Sequence, residues 1–265
     1  MKYKKILLFS GVALPVCLGL RFLQLFYIIE AETGFYKPEF KNFGSYILIL
    51  IFGFVAATVM FSMFTHRRPD KLPQINLGLS LSSFLLAGAI VFELFSQKVL
   101  FGNAVWQVVF LKLFGILSAV WLVLFGLKGF FNIKIPVITS AVLGIFYVMK
   151  IICNFASISS LALISDNILL IGSYCFILLF MMNFGKLYSG LDFERGFKKL
   201  MATGFGSVIL CFTQSIPNIV YNLVSGGNYN HIAQATNINL LITGIFILVF
   251  VLSHFSHKNA CERIV

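Results

Sequence analysis

The sequence contains eight long apolar runs, each close to the length of an α-helix that crosses a bilayer. Such a helix needs about 20 predominantly apolar residues. Membrane-barrel strands would be shorter and would alternate apolar and polar residues. The pattern therefore predicts an all-α, polytopic integral membrane bundle of about eight transmembrane helices. The predicted spans are Ile6–Ile29, Ser45–Phe64, Leu77–Phe95, Ala104–Phe125, Ile135–Cys153, Asn167–Phe184, Leu200–Val220 and Ile238–Phe255.

The distribution of charge supports a membrane protein and gives its orientation. Only 11% of the 265 residues are charged, whereas soluble domains carry about 25%. If the N-terminus is cytosolic, 14 of the 20 Lys and Arg residues fall in cytosolic segments and three in outer connections. Cytosolic loops are enriched in these residues. The sequence thus predicts that both termini are cytosolic, that the partner is the lipid bilayer, and that the net charge of +11 does not indicate nucleic acid.

The chain is predicted to form a single membrane domain, 1–265, with a weak internal repeat. The first and fifth spans both run outward, and each carries one cation late in the run, Arg21 and Lys150. Two four-helix halves of the same orientation, 1–126 and 127–265, would form a parallel repeat of the kind found in some transporters.

The acidic and basic residues within the spans, together with Asp166 at the start of the sixth, all fall in the outer half of the predicted bundle. A charge at that depth costs on the order of 3 kcal/mol, so it is usually paired, hydrated or functional. Amide side chains fall in the same layer. The candidate ligand-binding residues are Arg21, Gln24, Glu93, Lys112, Lys150, Asp166, Gln214 and Asn218.

This one-sided polarity predicts a vestibule that opens to the outside above an apolar inner half. Arg21 and Gln24 share a helix face, and Pro217 would free a backbone carbonyl near Gln214 and Asn218. The layer contains three cations and two anions. A net cationic pocket would favour an anionic small molecule or a lipid headgroup as a partner.

A purely structural interpretation competes with the vestibule. Lys112 and Lys150 have stems long enough to reach the headgroups, and Glu93 and Asp166 could lie at the headgroups themselves. Arg21 is expected to be paired within the bundle, because an unpaired Arg at this depth is costly, and Glu93 is the leading expected partner.

The sequence has no GxxxxGK[ST], HExxH or GxSxG motif, and the five cysteines form no CxxC pair. The sequence predicts no metal and no cofactor, and it favours a protein that is not an enzyme. Acid–base chemistry by Glu93, Asp166 and the lysines is the remaining enzymatic alternative.

The sequence contains several distinctive short motifs: Leu14-Pro-Val, Arg21-Phe-Leu-Gln-Leu-Phe, Glu32-Thr-Gly-Phe-Tyr and the layout Asp166…Phe180…Gly190-Leu-Asp-Phe. They resemble motifs of uncharacterised polytopic membrane proteins of anaerobic Gram-positive bacteria. The resemblance extends over most of the chain and implies a multi-pass protein of the bacterial cytoplasmic membrane, but no activity.

Three classes of function follow from these patterns. The leading one is a transporter or binding protein for a small polar or anionic solute that enters from outside. The alternative is a non-transporting membrane component, such as a sensor or an assembly or immunity partner. An intramembrane enzyme is the third.

Overall fold

The computed structural model describes residues 2–30, 35–65, 76–96, 105–131, 140–158, 165–188, 193–225 and 233–261. A π-helical turn, Gln24–Ile28, continues α1, and a 3-10 turn, Pro38–Phe40, precedes α2. Over the described residues the α-helices are α1 (Lys2–Leu23), α2 (Lys41–Thr65), α3 (Leu77–Ser96), α4 (Val105–Lys128), α5 (Ala141–Ile158), α6 (Ser165–Tyr188), α7 (Phe193–Val224) and α8 (Gln234–Cys261).

The helices confirm a polytopic membrane helix bundle. Seven of them contain a stretch of at least 18 residues that is apolar enough to cross a membrane, and α5 contributes a shorter apolar stretch, Ala141–Ala156. The predicted starts of the fourth and fifth spans, Ala104 and Ile135, lie outside the described residues. The internal repeat stays a prediction.

Six of the helices form a ring. Each of α3 to α7 packs against the next helix in the chain, and α8 closes the ring by packing against α3. Helices α1 and α2 pack against each other and against α7, so they flank the ring on one side. Helix α7 therefore has neighbours in both parts of the molecule, and it is almost entirely buried.

We call the end of the bundle where α1, α3, α5 and α7 finish the outer end, following the predicted orientation. Towards the opposite, inner end, the ring is filled by aromatic side chains. Phe184 lies among them, with its ring centroid 5.3 Å from Phe250, 5.5 Å from Phe125 and 6.1 Å from Trp121. We call these packed rings the aromatic floor of the ring, since large aromatic side chains in mutual contact fill the interior there.

Buried charge is confined to the outer half of the bundle. Among the described residues, the charged side chains that are buried are Arg21, Glu93, Lys150 and Asp166. Glu93 lies one turn before the end of α3, Lys150 two turns before the end of α5, and Asp166 is the second residue of α6. The one-sided polarity that the sequence indicates is thus a property of the folded bundle.

Candidate functional site

The first buried ion pair joins α1 to α6. The Arg21 guanidinium contacts the Asp166 carboxylate and also donates a hydrogen bond to Gln24 Oε1. Gln214 on α7 donates from Nε2 to the Asp166 backbone oxygen at 3.3 Å. We call Arg21, Gln24, Asp166 and Tyr36, which is described next, the Arg21 cluster.

The paired segments 28–30 and 35–37, which we call the outer hairpin, lie beside this cluster. Ile29 and Tyr36 form an antiparallel bridge, and the π-helical turn ends with a hydrogen bond from the Ile29 amide to the Gln24 carbonyl at 2.9 Å. The Gln24 amide donates to Tyr36 Oη at 2.8 Å and to the Gly44 carbonyl at 3.1 Å. Gln24 thereby uses its oxygen and its NH2 group, so it ties the hairpin and the start of α2 to Arg21.

The ring and the hydroxyl of Tyr36 are each set by their surroundings. A Cβ on Gly44 would lie 2.6 Å from ring carbons of Tyr36, so glycine allows the ring to pack directly against the α2 backbone. Burial raises the pKa of Tyr36 above its ordinary value, and the Ser165 hydroxyl, the Arg21 charge and the Gln24 hydrogen bond only partly oppose this effect. The Tyr36 hydroxyl is therefore neutral at physiological pH and accepts the hydrogen bond from Gln24.

The prediction that Glu93 is the partner of Arg21 is wrong, although Arg21 is paired within the bundle as expected. Helix α1 packs against α2 and α7, and α7 brings it next to α6, which carries Asp166. Helix α3, with Glu93, packs against α4 and α8 and faces the interior of the ring. The choice of partner is set by helix packing, which a linear sequence does not reveal.

The second buried ion pair lies inside the ring. Lys150 Nζ on α5 donates to Glu93 Oε2 on α3 at 2.5 Å, and the Asn239 amide on α8 donates to the same oxygen. Three helices thus converge on one carboxylate that is fully buried. We call Glu93, Lys150 and Asn239 the Glu93 cluster.

Aromatic rings surround the ammonium group of Lys150. Its Nζ lies 5.0 Å from the ring centroid of Phe146, 5.8 Å from that of Tyr147 and 5.0 Å from that of Tyr174. The negative face of an aromatic ring attracts a cation at these distances. We call these three rings the aromatic cage.

Helix α7 carries a row of buried amides, Gln214, Asn218 and Asn222, at four-residue spacing. Asn218 is 1% exposed, and neither atom of its side-chain amide has a hydrogen-bond partner among the described residues. The side-chain oxygens of Gln214 and Asn222 are likewise unpartnered there, as is that of Asn237 on α8. A buried polar group without a partner costs about 1–3 kcal/mol in proteins, so this row is a costly feature of the fold.

Helical geometry shows which way the row faces. Asn218 and Asn222 lie seven and eleven residues beyond Cys211, within about 20° of the same direction around the helix axis. Cys211 belongs to the buried core of the ring, together with Tyr147 and Tyr174. Asn218 and Asn222 therefore lie on the Cys211 face of α7, which packs against Gly244 of α8, nearer the outer end than the aromatic floor.

The structure divides the eight predicted site residues into groups. Arg21, Gln24 and Asp166 form one cluster, to which Gln214 is hydrogen-bonded, and Glu93 and Lys150 form the other. Lys112 joins neither, because its side chain on α4 is exposed. The three cations are thus not assembled into one pocket, and each buried cation has its own carboxylate. The buried set carries no excess positive charge, which corrects the expectation of a net cationic pocket.

Several residues in or near the two clusters were missed by sequence reasoning. Asn239 lies within a predicted apolar span, where an amide is unusual, and Asn237 lies directly before it, so this signal could have indicated them. Tyr147 is one turn before Lys150 on the same helix face, so helical spacing could have placed it there. Tyr36 lies in the outer loop, and nothing in its local pattern indicates a contact with Gln24.

The fold and its buried charges define the class of the protein: a polytopic membrane helix bundle with two ion-pair clusters near one end. No family model matches the chain, and no curated protein or solved structure matches it either. Assignment to the bacterial cytoplasmic membrane stays a prediction.

Proposed function

We propose that the protein binds a small polar solute in a vestibule at the outer end of the six-helix ring, as a transporter does. The observation that carries this proposal is Asn218, a buried amide with both of its polar atoms unpartnered among the described residues. A polar solute or its water would supply the missing hydrogen bonds. An anionic solute is one form of the proposal, but the paired cations favour a solute without a net negative charge.

The surroundings of Asn218 support the same proposal. Buried polar residues within membrane bundles characteristically line solute or ion pathways. Here Asn218 and Asn222 lie near the outer end of α7 on the face that packs against α8, the Glu93 cluster lies in the same outer half, and the aromatic floor fills the inner half. A transporter in an outward-facing state has this arrangement, with polar groups above and an apolar barrier below.

Cysteine accessibility tests the vestibule. The experiment uses Asn218→Cys in a background in which all five native cysteines are replaced by alanine, with the protein reconstituted in vesicles of known orientation. An impermeant, negatively charged methanethiosulfonate should modify Asn218→Cys from the outer side. Leu210→Cys, on the same helix and fully buried in the apolar core, is the matched control and should not react.

The same variant separates transport from simple binding. A transporter alternates its access, so Asn218→Cys should also react when the reagent is confined to the inner side. A protein that binds without transporting would react from the outer side alone. If Asn218→Cys reacts from neither side, although it reacts after denaturation, the vestibule is wrong and a non-transporting membrane component is the better conclusion.

A further inference from the structure

We propose that the Glu93 cluster and its aromatic cage form a binding site for a small primary-amine cation, and that Lys150 is its built-in occupant. The inference deepens the proposed function and rests on the vestibule, through which the ligand would enter. It assigns the chemical class of the solute.

The chemistry of the site matches an alkylammonium ion. A carboxylate and a carbonyl-bearing amide provide charge and hydrogen bonding, and three aromatic faces lie within 5.8 Å of the ammonium nitrogen. Aromatic cages recognise quaternary ammonium ligands, and the same attraction acts on a primary ammonium group that lies over a ring face. In this structure the ammonium group in the cage is that of Lys150.

Charge balance requires that Lys150 and an incoming cation exclude each other. One buried carboxylate offsets one buried cation, and a second cation beside it would lack compensation in a site of low dielectric. Lys150 carries its charge on a flexible four-carbon stem, so it can withdraw while its backbone stays in α5. The ligand would then replace an ammonium group by an ammonium group, and the charge at Glu93 would stay constant.

Unpartnered amide oxygens lie between the outer end of the bundle and the Glu93 cluster. Asn237 lies two residues before Asn239 on a different face of α8, and its side-chain oxygen is unpartnered among the described residues although the side chain is 1% exposed. Asn218 and Asn222 lie near the outer end of α7, on the face that carries Cys211 and packs against Gly244 of α8. An exchanged ammonium group needs such acceptors on its way in and out.

Binding of shape-matched probes tests the proposal. The purified protein in lipid nanodiscs is equilibrated with radiolabelled n-propylammonium, n-propanol or propionate, three molecules of similar size that differ in charge. n-Propylammonium reproduces the part of Lys150 that Lys150→Ala removes. The wild type should bind n-propylammonium saturably in the millimolar range, and Lys150→Ala should bind it at least tenfold more tightly, because the built-in competitor is gone.

Two variants provide the matched comparison. Glu93→Gln keeps the shape of the side chain but removes its charge, and it should abolish n-propylammonium binding. Glu39→Gln removes a charge from the exposed 3-10 turn and should leave binding unchanged. If Glu93→Gln fails to fold, Phe146→Leu provides a second measurement, since it keeps the ion pair, removes one ring of the cage and should weaken binding about threefold to tenfold.

Several outcomes would overturn the inference. The first is that the wild type binds no n-propylammonium at concentrations up to about 100 mM, which would detect even a weak ligand. The second is that the wild type and Lys150→Ala have equal affinities for it. The third is that propionate and n-propylammonium bind equally. Such a result with a reactive Asn218→Cys would reject the amine site and keep the vestibule. An unreactive Asn218→Cys would instead reject the vestibule itself.

Discussion

The two ion-pair clusters lie in the same half of the bundle, yet they differ in what surrounds them. In the Arg21 cluster, Gln24 accepts from Arg21 and donates to Tyr36 and to the Gly44 carbonyl. The Glu93 cluster is instead surrounded by aromatic rings, three of which lie around the Lys150 ammonium group. The comparison indicates that the first cluster locks α1 and the outer hairpin onto α6, while the second has the composition of a binding site.

The largest effect on stability is expected from removing one partner of the Arg21–Asp166 ion pair. Arg21→Leu or Asp166→Leu should each reduce the free energy of unfolding by about 3–5 kcal/mol, because each leaves an uncompensated buried charge. The double variant Arg21→Leu with Asp166→Leu should recover a large part of that loss. Denaturant unfolding in mixed micelles measures all three free energies.

The same measurement checks the corrected pairing. Arg21 and Glu93 belong to different clusters, so the effects of Arg21→Leu and Glu93→Leu should add to within about 0.5 kcal/mol. A strong coupling between these two substitutions, and none between Arg21→Leu and Asp166→Leu, would contradict the pairing described above.

A smaller effect is expected where the outer hairpin meets α2. Gly44→Ala places a methyl group 2.6 Å from ring carbons of Tyr36, and a rigid ring held on both sides must shift. We expect a loss of about 1–3 kcal/mol. Gly53→Ala, on the same helix with nothing within 4 Å of its Cβ position, is the control and should be neutral or slightly stabilising. Equal losses at both positions would mean that Tyr36 does not pack there.

The hydroxyl of Tyr36 is expected to contribute less than its ring. Tyr36→Phe keeps the ring against Gly44 and removes the acceptor for the Gln24 amide, which should cost about 0.5–1.5 kcal/mol. Neither Gly44→Ala nor Tyr36→Phe should alter n-propylammonium binding, because both act on the Arg21 cluster. A change in the affinity of that probe would show that the two clusters are coupled.

The smallest effect is expected at Lys112, which lies outside both clusters. Its side chain is exposed on α4, so Lys112→Gln should change the free energy of unfolding by no more than about 0.5 kcal/mol. It should also leave n-propylammonium binding unaltered. A loss of binding comparable to that of Glu93→Gln would require Lys112 to reach the ring interior.

The sequence predicts the helices and the depth of the charges well, because both depend on local patterns. Apolar length fixes where a span lies, and counting residues from its ends shows that Glu93 and Lys150 belong to the outer half. Partner choice depends instead on which helices become neighbours. Asp166 meets Arg21 only because α1 packs outside the ring, against α7, and no local pattern encodes that arrangement.

The aromatic cage could not be predicted from the sequence either. Phe146, Tyr147 and Tyr174 look like ordinary members of apolar runs, and the chain contains 31 phenylalanines and nine tyrosines. Only the approach of α5 to α6 makes three of these rings face one ammonium group. The amides on α7 and α8 indicate a buried polar region better than the aromatic residues do, because an amide within a membrane span usually packs against other polar groups.

The burial of α7 also bears on how the chain enters the membrane during its synthesis. This helix is the least apolar of the candidate spans. Its amides make its transfer from the insertion machinery into lipid unfavourable. Three of its neighbours, α1, α2 and α6, are made before it. The earlier helices can therefore receive α7 as it leaves the insertion machinery, so that its amides pass from one protein environment to another and meet little hydrocarbon on the way.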